Sequence, residues 1–163
     1  MIHFSTIEMN PTIINQILLD ETSLKAIESN RLRMNYNFHK KLEESLNRML
    51  NALEPNTYLR PHRHVFPPKA ESSIILRGEL DFLFFDDEGN LLQRETLNSA
   101  IGNYGIDIPA GIWHSIIVKE TGTVIFEVKQ GPFTPPIPEE FAPWSPSVDD
   151  LDGIKHFFEL YKR

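Results

Sequence analysis

The 163-residue chain contains no cysteine. Disulfides, thiolate metal sites, iron–sulfur clusters and cysteine nucleophiles are thereby excluded, and histidine and carboxylate remain as the strong metal ligands. No stretch approaches the roughly 20 apolar residues that span a bilayer, so no membrane insertion is expected. Met1-Ile2-His3-Phe4-Ser5 lacks a basic segment followed by an apolar one, so a secretory signal is not expected and a cytoplasmic location is. Positive charge is short: 16 Lys and Arg stand against 23 Asp and Glu, for a net charge of −7 and a pI near 5.3. An acidic balance argues against a nucleic-acid partner, whose phosphates need a basic face.

The hydrophobic fraction of 40% and charged fraction of 24% are ordinary for a globular protein. A chain of this size is expected to form one domain and to bury roughly 70% of its unfolded surface.

Two histidine signals stand about fifty residues apart. Pro61-His62-Arg63-His64 is followed by Glu71, and Pro109-Ala110-Gly111-Ile112-Trp113 leads into His114. Together they supply three imidazoles and one carboxylate, a ligand set for one divalent transition metal such as Fe, Mn, Ni or Zn. Side chains at i and i+2 of a strand share a face, so His62 and His64 can meet one ion, with Tyr58 and Arg60 behind them as substrate contacts. Three imidazoles and a carboxylate also leave open positions for a small-molecule ligand.

Three stretches organise the chain. Residues 1–47 read as a helical and loop extension. Asn10-Pro11 can start a helix, with Ile13, Ile14, Ile17 and Leu18 as an apolar stripe, and Thr22 to Glu28 gives a further helical turn. Arg31 to Lys40 has no clean period and is expected to be a loop. Residues 48–130 read as about seven or eight short strands without intervening helices, the signature of a sandwich or barrel. They include Tyr58 to His64 and a hairpin turned by Asp86-Asp87-Glu88-Gly89-Asn90. Residues 131–163 open with a proline-rich run expected to wrap the barrel, anchored by Phe133, Phe141 and Trp144. A last helix capped by Asp149 or Asp150 would follow, with Ile154, Phe157, Phe158 and Tyr161 on one face.

Other polar residues admit two readings. Asn37 and His39 can lie in a lid over the barrel mouth and contact substrate, or in a loop held by asparagine hydrogen bonds. Arg60 can bind a carboxylate or phosphate, or pair with Glu54 or Glu127. His3 and His156 are expected at the surface, and Trp113 and Trp144 in packing.

The histidine pattern resembles the two motifs of the cupin superfamily. His62-x-His64, Glu71, six further residues and Gly78 follow the first, and Pro109-x-Gly111-x2-His114 follows the second. Asn56 stands where the first motif has glycine, Val118 where the second ends in asparagine, and residues 65–70 make a six-residue spacer where three or four are usual. A more specific resemblance is to the WbuC family of cupin-fold metalloproteins. It is carried by Arg31–His39 (RLRMNYNFH), Arg48–Glu54 (RMLNALE), Arg60–His64 (RPHRH), Leu76–Gly78 (LRG), Phe84–Asp87 (FFDD), Ile106–His114 (IDIPAGIWH), Phe126–Phe133 (FEVKQGPF) and Glu140–Trp144 (EFAPW). The resemblance implies an all-β core, a cupin double-stranded β-helix with an N-terminal helical segment and a C-terminal helix. It also implies a metal on His62, His64, Glu71 and His114, a homodimer, and an association with bacterial O-antigen and surface-polysaccharide synthesis. The function so implied is a metal-dependent enzyme acting on a sugar or nucleotide sugar. A non-catalytic ligand sensor and a metal-free sugar isomerase are the alternatives.

Overall fold

The computed structural model describes residues 11–162. Met1 to Asn10, with His3 and the first residue of the expected helix start, lie outside them.

Helix α1 spans Gln16–Glu28. Eight strands follow: β1 (Arg33–Asn37), β2 (Leu46–Leu53), β3 (Glu71–Arg77), β4 (Leu80–Phe85), β5 (Leu91–Leu97), β6 (Gly105–Ile108), β7 (Trp113–Val118) and β8 (Thr123–Gln130); helix α2 (Leu151–Tyr161) closes the chain. A five-stranded sheet has the order β1-β2-β8-β3-β6, and a three-stranded sheet the order β5-β4-β7. All pairings are antiparallel. Two facing antiparallel sheets with these crossovers form the expected cupin jelly roll.

Side-chain alternation explains the layers. Leu53, Ile75, Phe82, Ile108, Ile116 and Ile125 point inward and fill the space between the sheets. On the outside of the five-stranded sheet, Leu50, Ala52 and Val124 pack against Leu19 and Ala26 of α1. On the outside of the three-stranded sheet, Leu83, Phe85, Trp113 and Ile117 pack against Phe157, with Trp144, Ile154, Phe158 and Tyr161 closing the edge. Strands β4 and β7 are thus covered on both faces, which accounts for their nearly unbroken apolar sequences. The β4–β5 turn is held by Asp86, whose Oδ1 accepts from the backbone N–H groups of Glu88 (3.1 Å) and Asn90 (2.7 Å).

The structure corrects several expectations. Helix α1 begins at Gln16, where the Asn15 side chain caps it by accepting from the Leu18 N–H (3.0 Å). Its buried face is Leu19, Thr22, Ser23 and Ala26, while Ile13, Ile14 and Ile17 are exposed. The stripe fails in part: Ile13 and Ile14 precede the cap and Ile17 turns away from the sheet, while Leu18 packs at the edge of the buried face. Residues 31–40 are no loop: β1 lies within them and pairs with β2 from Arg33↔Leu53 to Asn37↔Met49. The extension therefore supplies an edge strand to the barrel. Residues 58–64 form no regular strand; His62 bridges His114 on one side and Phe141 on the other. In the proline-rich wrap Phe141 and Trp144 are partly buried, but Phe133 is exposed. Asp150 is the cap of α2, accepting from the Gly153 N–H (2.9 Å), and His156 is at the surface as expected. No helix among the described residues is long and apolar enough to cross a membrane.

Candidate metal centre

Two pieces of chain deliver the three histidines to one site, the 61–64 segment and β7. His62 and His114 exchange backbone hydrogen bonds, N–H to carbonyl, at 3.0 and 2.9 Å. That exchange fixes the 61–64 segment against β7 and brings the two rings within 4.3 Å. His64 follows two residues on, 5.0 Å from His62 ring to ring. The C-terminal wrap pins this segment from outside. The Arg63 N–H donates to the Glu140 carbonyl (2.9 Å), and Glu140 Oε1 accepts from the N–H groups of Val65 (2.9 Å) and Phe66 (3.1 Å).

One potential ligand nitrogen from each of His62, His64 and His114 lies within 4.8 Å of the other two. That is close to the spacing one ion imposes through bonds of about 2.1 Å, so the triad can hold a metal. Backbone carbonyls fix two of the rings. His62 Nδ1 lies 3.0 Å from the Arg60 oxygen and His114 Nδ1 2.9 Å from the Ile112 oxygen. A carbonyl only accepts, so both Nδ1 atoms carry the proton and both Nε2 atoms are bare lone pairs in the neutral rings. Burial, together with neighbouring His114, holds the His62 pKa well below its ordinary value, which keeps that ring neutral and able to ligate.

Glu71, on β3, enters the same space. Its Oε1 is 2.9 Å from His114 Nε2 and its Oε2 is 3.2 Å from His64 Nε2. His114 Nε2 is buried and makes no hydrogen bond. A lone pair facing a carboxylate oxygen at that distance is repulsive unless a cation lies between them. The donor set thus fits a divalent metal through the atoms it leaves unpaired.

The register across β2, β8 and β3 brings a cation that sequence reasoning missed. Lys129 is opposite Glu71, and its Nζ lies 2.7 Å from Glu71 Oε2, 3.3 Å from Glu127 Oε1 and 3.2 Å from His64 Nε2. Burial works to raise the Glu71 carboxyl, but the Lys129 ammonium holds it well below the usual carboxylate range. Glu127 is pushed up by its burial, and Lys129 is raised by the two carboxylates against its own burial. The signal in the sequence was parity: Ile125, Glu127 and Lys129 alternate with Val124, Phe126 and Val128, and Val124 and Phe126 pack on the α1 side.

A cavity of about 500 Å³ opens beside the centre. Its inner wall is apolar through Leu53, Leu59, Phe82, Ile116 and Ile125, and its remaining lining includes Arg33, Asn47, Asn51, Glu127 and Lys129. Asn37 and His39 also line it: Asn37 is exposed at β1, and His39 is buried with its Nδ1 accepting from the Arg48 N–H (3.2 Å). Tyr58 and Arg60 turn their polar ends to the C-terminal wrap. The Tyr58 hydroxyl donates to the Pro146 carbonyl (2.8 Å), and Arg60 Nε donates to Ser145 Oγ (2.9 Å) with its guanidinium over the Phe141 ring. Arg60 therefore bonds neither Glu54 nor Glu127. Trp113 and Trp144 belong to the outer apolar layer, as expected.

Among protein families, the model of a domain of unknown function, DUF6016, matches residues 14–97, just over half of the chain. The chain belongs to the DUF6016 family. No curated protein matches it. Among solved structures, L-ribose isomerase of Cellulomonas parahominis is similar over 67% of this chain and 65% of its own, at 13% identity and a TM-score of 0.50. The cupin domain of Schizosaccharomyces pombe Cnp3 is similar over 60% and 64%, at 12% identity and a TM-score of 0.46. Oxalate decarboxylase of Lactobacillus farciminis is similar over 63% of this chain, at 22% identity and a TM-score of 0.47. The DUF6016 chain spans only 29% of that decarboxylase's length. At such identities the likeness concerns the fold alone.

Proposed function

We propose that the chain is a metal-dependent enzyme that acts on a small polar metabolite, a sugar or nucleotide sugar of bacterial O-antigen and surface-polysaccharide synthesis. The observation that carries the metal is the unpaired His114 Nε2 facing the Glu71 carboxylate at 2.9 Å. His62, His64, Glu71 and His114 would hold one divalent ion of Fe, Mn, Ni or Zn, which when bound supplies a Lewis acid with open positions. The chain's own residues keep the His62 imidazole neutral, orient His62 and His114 through backbone carbonyls and place a cavity of metabolite size beside them. The resemblance to the WbuC cupins supports the pathway, a cytoplasmic location and a homodimer.

The presence of Lys129 favours a second reading, a metal-free ligand site. Its ammonium already reaches Glu71 and His64, where a metal would bind.

Metal analysis of the purified protein separates the two. The expected result is close to one ion per chain, lost in His62→Ala along with a drop in melting temperature. Protein that carries well below stoichiometric metal after reloading, and is unmoved by His62→Ala, would establish the metal-free reading. Incubating loaded protein with nucleotide sugars, with and without oxygen, then tests turnover; binding without product under every condition would mean a sensor.

A further inference from the structure

One wall of the cavity has polar groups that neither the fold nor the metal uses. Strand pairing places Asn47, Lys129 and Glu71 in one transverse row across β2, β8 and β3. Four residues along β2, on the same face, Asn51 stands beside Asn35 of the edge strand. Asn47 is only 3% exposed, yet its amide makes no hydrogen bond with any described residue, and its buried Oδ1 has no partner. The Asn51 Nδ2 donates to Glu127 Oε2 (2.5 Å), but its Oδ1 is likewise buried and unpartnered. Buried amides without partners are costly, and native structures rarely keep them without a purpose. An amide offers an acceptor at one end and a donor at the other, and a hydroxyl group satisfies either.

Two guanidinium groups line the same cavity. Arg33 is half-buried and commits only Nη1, which donates to the Tyr58 carbonyl (2.9 Å) and Thr57 Oγ1 (3.2 Å). Arg31 is exposed, and its guanidinium bonds no described residue. Neither pairs with a carboxylate among the described residues, although acidic residues outnumber basic ones by 23 to 16. Unpaired arginines at a cavity in an acidic protein mark a place for an anion.

We infer that the cavity binds a small polyhydroxylated anion, its hydroxyls toward Asn47 and Asn51 and its anionic group toward Arg31 and Arg33. The anionic group is a carboxylate or a phosphate, as in a sugar acid or a sugar phosphate. This rests on the proposal that the cavity is a ligand site and adds the charge and orientation of what it takes.

Calorimetric titration of the metal-loaded protein tests it with D-gluconate, D-glucose 6-phosphate, neutral D-glucose and acetate. One of the two hydroxylated anions is expected to saturate a single site at least tenfold more tightly than glucose or acetate, and which one does identifies the anionic group. Asn47→Leu, close in shape and without an amide, is expected to weaken that binding at least tenfold while metal content is unchanged and the melting temperature is equal or higher. Arg31→Ala is expected to weaken the same anion at least threefold and leave glucose unaffected. The inference is overturned if neither anion saturates, if Asn47→Leu binds as well as the parent, or if Asn47→Leu melts well below it, the mark of a structural amide. Metal content measured on the same samples keeps the two proposals apart. A loaded protein that ignores both anions sinks this inference alone; a protein that takes no metal sinks the metal reading, and the metal-free titration still decides this one.

Discussion

Lys129 and Glu71 face each other across β8 and β3 with the ammonium 2.7 Å from the carboxylate. The ammonium stands where a ligating carboxylate needs its cation, so lysine and metal compete for Glu71 Oε2 and His64 Nε2. Lys129→Met removes the competitor and leaves Glu71 and Glu127 without their shared partner. The metal-free variant should lose about 3–5 kcal/mol, as for a buried charge stripped of its pair. Its affinity for a divalent ion should rise at least tenfold, because no ammonium has to be displaced. Metal titration and melting with and without metal check both halves. A variant that binds metal no more tightly than the parent would mean that the lysine lies outside the ligand set.

Tyr58 predicts a limb of alkaline instability independent of the metal. Burial pushes its phenol up to about 12, and its hydroxyl bonds the Pro146 carbonyl. The folded value lies above the unfolded value of about 10. Its contribution is therefore present in full below pH 10 and is lost as pH rises from 10 through 12. The full effect is about 2–3 kcal/mol at 1.36 kcal/mol per pK unit. Tyr58→Phe should be about 1 kcal/mol less stable at neutral pH, for the lost hydrogen bond, and flatter above pH 10. Urea unfolding from pH 7 to 11.5 should show the two stability curves converging; parallel curves would contradict the assignment.

The fold was legible where a short apolar run meets a turn written in aspartate, glycine and asparagine. β4 (Leu80–Phe85) and β5 (Leu91–Leu97) flank the expected hairpin turn at residues 86–90 for that reason. The edge strand β1 was not legible, because it places Arg33, Asn35 and Asn37 toward a polar cavity and only Met34 and Tyr36 toward α1. Polar residues that point inward look like a solvated loop in the sequence. The same inversion hid Glu127, Lys129, Asn47 and Asn51. The histidines were legible through their spacing, but parity along 58–64 overstated what Tyr58 and Arg60 share with them. That segment is held by single bridges to His114 and Phe141, and the wrap claims both polar ends.

Glu140 links the C-terminal wrap to the histidine segment. It is 4% exposed, and although burial acts to raise its carboxyl, the N–H groups of Val65, Phe66 and Ile137 hold it below its ordinary value. Glu140→Ala leaves those N–H groups without an acceptor and should cost about 2–3 kcal/mol. Because Arg63 and Val65 flank His64, metal affinity should fall as well, while Glu140→Gln, which keeps one oxygen, should recover part of both. Paired melting and metal-content measurements check this. A Glu140→Ala protein of lower stability with unchanged metal affinity would show that the wrap does not position His64.

Two glycines in the left-handed region separate backbone strain from crowding. Gly78 (φ +81°) joins β3 to β4, and a Cβ there would lie 2.8 Å from the Thr123 Cα. Thr123 cannot yield, since its Oγ1 donates to the Glu120 carbonyl (2.7 Å) and accepts from the Glu79 N–H (3.2 Å). Gly111 (φ +86°), in the turn before His114, has only Val65 Cγ1 nearby, 3.7 Å from such a Cβ. Gly111→Ala should therefore cost only the left-handed backbone, about 1–2 kcal/mol, with metal content preserved. Gly78→Ala adds overpacking of about 1–3 kcal/mol to the same strain, so it should be the more damaging by that margin. Denaturant unfolding of the two variants side by side decides it: equal losses would mean that Thr123 moves aside, and a larger loss at Gly111 would mean that the turn delivering His114 is more tightly determined than its open surroundings indicate.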